Sequence, residues 1–279
     1  MVAYKDRSAS TGYAAAEAEA LPSPTSSRRV PEFDIPIRIL SLNTHKGFTS
    51  FNRRFVLNEL REAIRLVSAD IVFLQEVLGD DAASRPSTVN WPRIPQYEFL
   101  ADTIWPHFSY GRNAVYPEGH HGNALLSKFP IISFQNVDVS IAGPERRGML
   151  HCVLRHPGLG IDLHAICVHL GLAGRHRIQQ LDRLCEFTQT LPSNSPLILA
   201  GDFNDWSQRA GIILQRCAGL EEVFVTAMGR PARTFPAGWP LLRLDRIYCR
   251  NLKSGNPRVL SQAPWSKLSD HAAIFAEAR

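Results

Sequence analysis

The sequence predicts an α/β fold: a four-layered α/β-sandwich in which two packed mixed β-sheets are flanked by helices. Three observations lead there. Short apolar runs of strand length recur from Ile37 to the C-terminus. Several of them, such as "LILA" at 197–200, are apolar at every position, the pattern of a strand buried on both faces. Helical periodicity falls mainly in the connections between these runs, where helices cover the outer faces of β-layers.

Each element follows in order. "IRILSLN" (37–43) reads as the first strand. "FNRRFVLNELREAIRLVSA" (51–69) places Phe55, Leu60, Ile64 and Val67 at helical spacing, with charges between them. "DIVFLQEV" (70–77) is a second buried strand, and Pro, Ser and Asp make a loop of 80–96. β-type runs follow at "NALLSKFPIIS", "FQNVDVSI", "MLHCVLRH" and "IDLHAICVHL". "GRHRIQQLDRLCEFTQTL" (174–191) reads as a helix with Ile178, Leu181, Leu184 and Leu191 on one face. After the strand at 197–200 come a short helix near 207–216 and strands at "RLDRIYCR", "PRVLS" and "HAAIFAE". No internal repeat of fixed short period is present.

Residues 1–34 differ from the rest, being rich in Ala, Ser, Pro and Thr and poor in large apolar residues. Such a segment buries too little surface to offset its ordering entropy, so a disordered tail is expected, with one domain over 35–279. The chain is 44% apolar and 20% charged, an ordinary soluble composition. No apolar run approaches the ~18 residues that span a bilayer, and the N-terminus has no secretory h-region. The five cysteines form no C-x-x-C, which reads as reduced thiols in a cytoplasmic protein. The net charge is +5. Asp6, Glu17, Glu19, Glu32 and Asp34 outnumber Lys5, Arg7, Arg28 and Arg29 in the tail, so the positive balance belongs to the body. It favours a polyanionic or phosphate-bearing partner.

Polar outliers collect where the strands end. Asn43 closes the first strand, Glu76 the second, His169 closes "ICVHL", and Asp202 and Asn204 close "LILAGDFN". Asp245 lies in "RLDRIY", and Asp270-His271 open the last strand. Each has a structural explanation alone: an Asn or Asp after a strand is commonly a turn former, and a histidine on an apolar strand is commonly a satisfied core residue. Six such segments in one chain, however, put carboxylates, amides and imidazoles at the strand ends where α/β folds build their sites.

The ordered motifs "LNTHKG", "LQEV", "GNALLSKFPI", "VHL", "GDFN", "LDRIY" and "SDH" give the body, from about Ile37 to the C-terminus, a resemblance to the endonuclease/exonuclease/phosphatase family of metal-dependent phosphoesterases, in a compact bacterial branch. The resemblance implies a phosphodiesterase that activates a water for in-line attack. Mg²⁺, with Mn²⁺ as a substitute, suits oxygen ligands: Glu76 first, with Asn43 and Asp270 beside it. No Cys/His cluster suggests a dedicated zinc site. Asp202 is expected to orient or deprotonate the water, and Asn204 to donate to the phosphoryl oxygen. Asp245 holds His271 cationic, and His169 is the second imidazole on the phosphate.

The chain departs from the family where several relatives carry a tyrosine and it has Gly119-His120-His121-Gly122. His120 is expected to take the phosphate contact there, with Tyr110 or Tyr116 as alternatives. Arg147 is a further phosphate contact, and His45 and Lys46 line the same mouth. The expected substrate is nucleic acid, DNA or RNA. Lipid head groups, approached through the apolar loop "PAGWPLL" (236–242), and small phosphate esters are the alternatives, followed by a non-catalytic module of the same fold.

Overall fold

A computed structural model describes residues 35–81, 91–117 and 119–279. The expected tail, 1–34, and much of the expected loop at 80–96 lie outside the described residues.

The chain runs through β1 (Ile37–Asn43), α1 (Leu57–Val67), β2 (Ile71–Asp81), α2 (Gln96–Ala101), β3 (His107–Tyr116) and β4 (Gly119–Ser127). It continues with β5 (Ile131–Asp138), β6 (Gly148–Leu154), β7 (Leu163–His169), α3 (Gly174–Thr190) and β8 (Leu197–Asp202). The last part holds α4 (Ala210–Ala218), β9 (Glu221–Glu222), α5 (Val223–Met228), β10 (Asp245–Arg250), β11 (Ser254–Leu260) and β12 (Ala273–Ala278). Two six-stranded sheets result, ordered β11-β12-β1-β2-β4-β3 and β5-β6-β7-β8-β10-β9.

Each sheet is mixed for the same reason. β1-α1-β2 and β7-α3-β8 are crossover units, and each makes the one parallel pair at the centre of its sheet. Every other strand pairing among the described residues is antiparallel. The sheets pack face to face over Ile39, Ile71, Phe73, Cys152, Ala165, Ile198 and Ile247. Leu60, Ile64 and Trp105 bury the outer face of the first sheet against α1 and α2, and Leu181, Leu184 and Leu214 bury that of the second sheet under α3 and α4. This is the expected four-layered sandwich.

Three details differ from the sequence reading. The first helix starts at Leu57, because Phe51 and Asn52 adopt left-handed conformations (φ 63° and 54°) that a helix interior does not admit. α2 and α5, of six residues each, were hidden because so few positions carry no period. The third concerns the cysteines. Cys185 in α3 and Cys217 in α4 form a disulfide, with Cα atoms 5.7 Å apart, so the expectation of five reduced thiols is corrected to three free ones, Cys152, Cys167 and Cys249. The pair escaped notice because 32 residues of chain, including all of β8, separate two helix positions that meet only after folding. A reducing compartment thereby loses part of its support.

Candidate active site

The two parallel pairs present their C-terminal ends along one rim. Asn43 ends β1, His169 ends β7 and Asp202 ends β8, while His169 and Asp245 are both register partners of Asp202. β12 runs antiparallel to β1, so Asp270 and His271, just before it, reach the same edge. Gly201 makes the close packing there possible. A Cβ on it would lie 1.9 Å from the Val168 carbonyl oxygen, and its φ of +150° disfavours any other residue.

Asp202 is the hub. Its Oδ2 lies 3.2 Å from Asn43 Nδ2, 3.5 Å from His169 Nε2 and 3.7 Å from His271 Nε2. Its Oδ1 accepts the Asn204 backbone N–H at 2.9 Å. The Asn43 amide, on β1, links the two sheets through its bond to Asp202 of β8, and it also donates to Glu76 Oε1 at 3.4 Å. Asn204 donates Nδ2 to the Leu170 carbonyl at 2.9 Å, and Arg147 reaches the same carbonyl at 3.3 Å. Behind His271, its Nδ1 is 2.9 Å from Asp245 Oδ2.

Charge follows from this arrangement. Burial works against a cationic His271, but Asp245 and Asp202 outweigh it and push its pKa up to about 10. Burial and the positive charges of Arg147 and His271 hold His169 well below the ordinary histidine value, so it is neutral. Burial raises the Asp202 carboxyl to about 6 against the opposing pull of His271. At neutral pH the hub is therefore a carboxylate between an imidazolium and a neutral imidazole.

Glu76 and Asp270 form a second, more open cluster. The His45 Nδ1 lies 3.2 Å from Asp270 Oδ2 and 3.9 Å from Glu76 Oε2, with each side chain about one-fifth exposed. Two carboxylates at the solvent edge, both beside one imidazole nitrogen, offer the oxygen donors that a hard divalent cation needs. Asp202, Asp245 and His271 also bring ligand atoms within 4.8 Å of one another. That cluster, however, already holds an imidazolium against its two carboxylates, which opposes a further cation. The donor chemistry therefore fits a metal at Glu76 and Asp270.

Four residues at this rim carry backbone strain. Glu76 (φ 54°), Asn204 (φ 48°), His45 (φ 47°) and Lys46 (φ 57°) all occupy the left-handed region. Side chains that resist this conformation persist there when surrounding structure over-determines them, a common feature of functional sites.

Of the residues singled out from sequence, Asn43, Glu76, His169, Asp202, Asn204, Asp245, Asp270 and His271 come together here, with Arg147 at the edge. His120 does not join them. Its Nδ1 lies 3.0 Å from the Tyr110 hydroxyl, and Tyr110 stacks on Tyr97 of α2, so this imidazole packs with the helix-covered face of the first sheet. Strand alternation gives the inner position to its neighbour. His121 feels Lys46, Glu76 and Arg147, its buried Nδ1 has no hydrogen-bond partner, and burial lowers its pKa to about 4. Sequence reasoning missed His121. The signal was parity with Asn123, two residues on, whose amide crosses to the Cys167 carbonyl of the second sheet.

Residues 40–271 match the model of the Endonuclease/Exonuclease/phosphatase family. The chain belongs to that family. It is 55% identical over 240 residues to the protein YbhP of Escherichia coli (strain K12), covering 86% of this chain and 95% of that one. Its fold is similar to that of D. rerio TDP2 complexed with a single-strand DNA product (TM-score 0.68, 18% identity, 88% of this chain and 100% of the other). It is also similar to Bacteroides thetaiotaomicron VPI-5482 mannosyl-6-phosphatase (TM-score 0.66, 16% identity, 87% and 99%). Members of this family are hydrolases acting on phosphoester bonds.

Proposed function

We propose that this chain is a divalent-metal-dependent phosphodiesterase that hydrolyses its substrate by in-line attack of water, with nucleic acid as the substrate class. The observation that carries the reading is the Asp202 carboxylate, set between cationic His271 and neutral His169. Asp202 takes up the proton of the attacking water, for which a carboxyl raised to about 6 is better matched than an ordinary aspartate. His271, oriented through Nδ1 by Asp245, offers Nε2–H to the developing negative charge. His169 and Asn204 fix the phosphoryl oxygens from the other side. His121 takes the substrate contact expected of His120, and Lys46 and Arg147 supply positive charge beside it.

Glu76 and Asp270 would hold a divalent metal, which would supply Lewis-acid polarisation of the phosphoryl oxygens. Asn43 orders this side, since its amide holds Glu76 and its Oδ1 accepts the His45 backbone N–H at 3.0 Å.

The basic surroundings and the fold shared with TDP2, seen with a single-strand DNA product, support nucleic acid. One observation favours a second substrate class, lipid head groups. Trp239, Leu241 and Leu242 are 74%, 54% and 43% exposed in a loop whose base, Phe235, packs 5.1 Å from the His271 ring. Leucines do not stack on bases, whereas a lipid surface buries them. Among the described residues no helix is long and apolar enough to cross a membrane.

The deciding experiment is one panel with Mg²⁺ or Mn²⁺: plasmid DNA, single-stranded oligonucleotides, RNA, phospholipid vesicles and p-nitrophenyl phosphate esters. Hydrolysis abolished by EDTA and ranked highest on a nucleic acid supports the reading. Highest turnover on vesicles transfers it to lipids, and silence on every substrate leaves a non-catalytic module.

A further inference from the structure

Trp206 lies four positions after Asp202, in the turn between β8 and α4, and its side chain is 48% exposed. Single exposed apolar side chains are ordinary on a protein surface. This one differs in how firmly it is held. Asp205 anchors the turn: its Oδ1 accepts the Ser207 hydroxyl at 2.6 Å, its Oδ2 the Ala210 N–H at 2.8 Å and its carbonyl the Gln208 N–H at 3.1 Å. Two residues before Trp206, the Asn204 amide is tied to the Leu170 carbonyl.

The indole rests on Arg177. This guanidinium, from the first turn of α3, lies 4.4 Å from the ring centroid, within cation–π range. Arg177 is 4% exposed and, among the described residues, forms no salt bridge. Its Nη1 instead donates to the Gly171 carbonyl at 3.2 Å and to the Leu172 carbonyl. Burial lowers its pKa while Asp205, Glu145 and Asp202 pull the other way, so this cation stands in the field of the hub. A buried guanidinium without a paired carboxylate is costly. What it holds here is the 171–172 loop beside the rim and one face of Trp206. With that face covered, the exposure of the indole belongs to its opposite face and its edge.

We propose that Trp206 determines specificity by stacking on a base next to the scissile phosphate of a nucleic-acid strand, with Arg177 as its backing. The inference rests on the nucleic-acid reading of the same site and names the residue that recognises the base. Two residues of chain span at most about 7 Å, which keeps the indole close to phosphoryl oxygens bound at Asn204 and within reach of the attached sugar and base. Every base has a π-face, so a flat ring fixed in one place accepts any of them. Lys46 and Arg147 attract phosphate whatever it is esterified to, whereas Trp206 favours an ester that carries a base. The head group of a phospholipid brings no flat aromatic ring to it.

Fluorescence anisotropy of the full chain in EDTA tests the inference, with two labelled ligands of equal length and charge: a short single-stranded dT oligonucleotide and an abasic deoxyribose-phosphate oligomer. The parent chain is expected to bind dT at least ~5-fold tighter than the abasic oligomer, the low end of what stacking contributes per base. Trp206→Ala is expected to bring the two affinities together, and Trp206→Phe to keep most of the difference. Affinity for the abasic oligomer is expected to be unchanged in both variants, which shows that the rest of the rim is intact. A parent chain that binds both oligomers equally well, or a Trp206→Ala chain that still prefers dT, overturns the inference and leaves the nucleic-acid reading standing. A parent chain that binds neither overturns both.

Discussion

The Nδ1 of His271 lies 2.9 Å from Oδ2 of Asp245, with both side chains buried. A proton on that nitrogen is held by a full negative charge in a poorly solvated place, so the other nitrogen carries a hydrogen aimed at the Asp202 side. Sequence neighbours do not create this relationship. Asp245 opens β10 and His271 precedes β12, in different sheets, and the pair bridges the sandwich just behind Asp202.

Asp245→Asn keeps the size and one hydrogen-bonding atom but removes the charge. Burial then meets less opposition at His271, where Asp202 remains, so the imidazole pKa is expected to fall. Turnover of the best phosphodiester substrate is expected to fall ~10-fold or more, with KM little changed, because the lost interaction acts on transition-state charge. His271→Ala and Asp202→Ala are each expected to cost at least ~100-fold. Steady-state kinetics with circular dichroism as a folding control checks all three. Parent-like rates in a folded His271→Ala chain would sink the assignment.

Metal dependence separates the two carboxylate clusters. Glu76→Gln and Asp270→Asn are expected to raise the Mg²⁺ concentration for half-maximal activity ~10–100-fold, with much of the maximal rate recovered at saturating metal. Asp245→Asn is expected to leave that concentration nearly unchanged. A Mg²⁺ titration of the three variants is decisive. A shift confined to Asp245→Asn would move the metal to the buried Asp202–Asp245–His271 cluster.

The neighbouring histidines give an internal control. His121→Ala is expected to raise KM by ~10-fold or more through loss of a phosphate contact, while His120→Ala, packed with Tyr110, changes stability more than KM. Kinetics and urea unfolding of both variants measure the split. The reverse pattern would restore the expectation drawn from sequence.

Most of the fold and hub was legible because it depends on quantities a sequence states directly. Continuous apolar runs such as "LILA" named the buried strands, and polar residues at their ends named the rim. What stayed hidden depends on three-dimensional parity. Whether His120 or His121 faces inward is decided by one step of strand register, which a run of "GHHG" between bulges leaves open. Likewise, α2 and α5 are too short for a period.

The disulfide gives a stability prediction with a chemical count. Closing a loop of sequence separation 32 removes denatured-state entropy worth about 3–4 kcal/mol by the chain-entropy argument. Denatured but unreduced protein is expected to show three thiols and reduced protein five. Cys217→Ser is expected to lower unfolding free energy by a similar amount in the absence of reductant, with little effect once reductant is present in both samples. Five thiols without reductant would remove the cross-link.

Acid sensitivity is the last test, and its sign is fixed by burial. His151 stacks beside His164, with Nε2 2.9 Å from the partner Nδ1, a bond in which one of the two rings must be neutral to accept. Burial, followed by His164, lowers the His151 pKa to about 4, against about 6.5 in the unfolded chain. A histidine whose folded pKa is depressed contributes stability above the unfolded value and loses it as pH falls, because only the unfolded chain takes up the proton. Between pH 7.5 and pH 5 that loss amounts to about 2 kcal/mol for this residue. Asp202 and Glu222, raised to about 6 and about 7, oppose it in the whole molecule, since their folded forms hold protons that the unfolded chain has released. The parent's net slope is therefore a poor readout, and the difference between chains is a good one. His151→Gln, uncharged at every pH, is expected to start less stable at pH 7.5 and to lose about 2 kcal/mol less than the parent by pH 5, as measured by urea unfolding. Parallel curves for the two chains across that range would mean that His151 is protonated in the folded state, and that the stacked pair does not hold the neutral form.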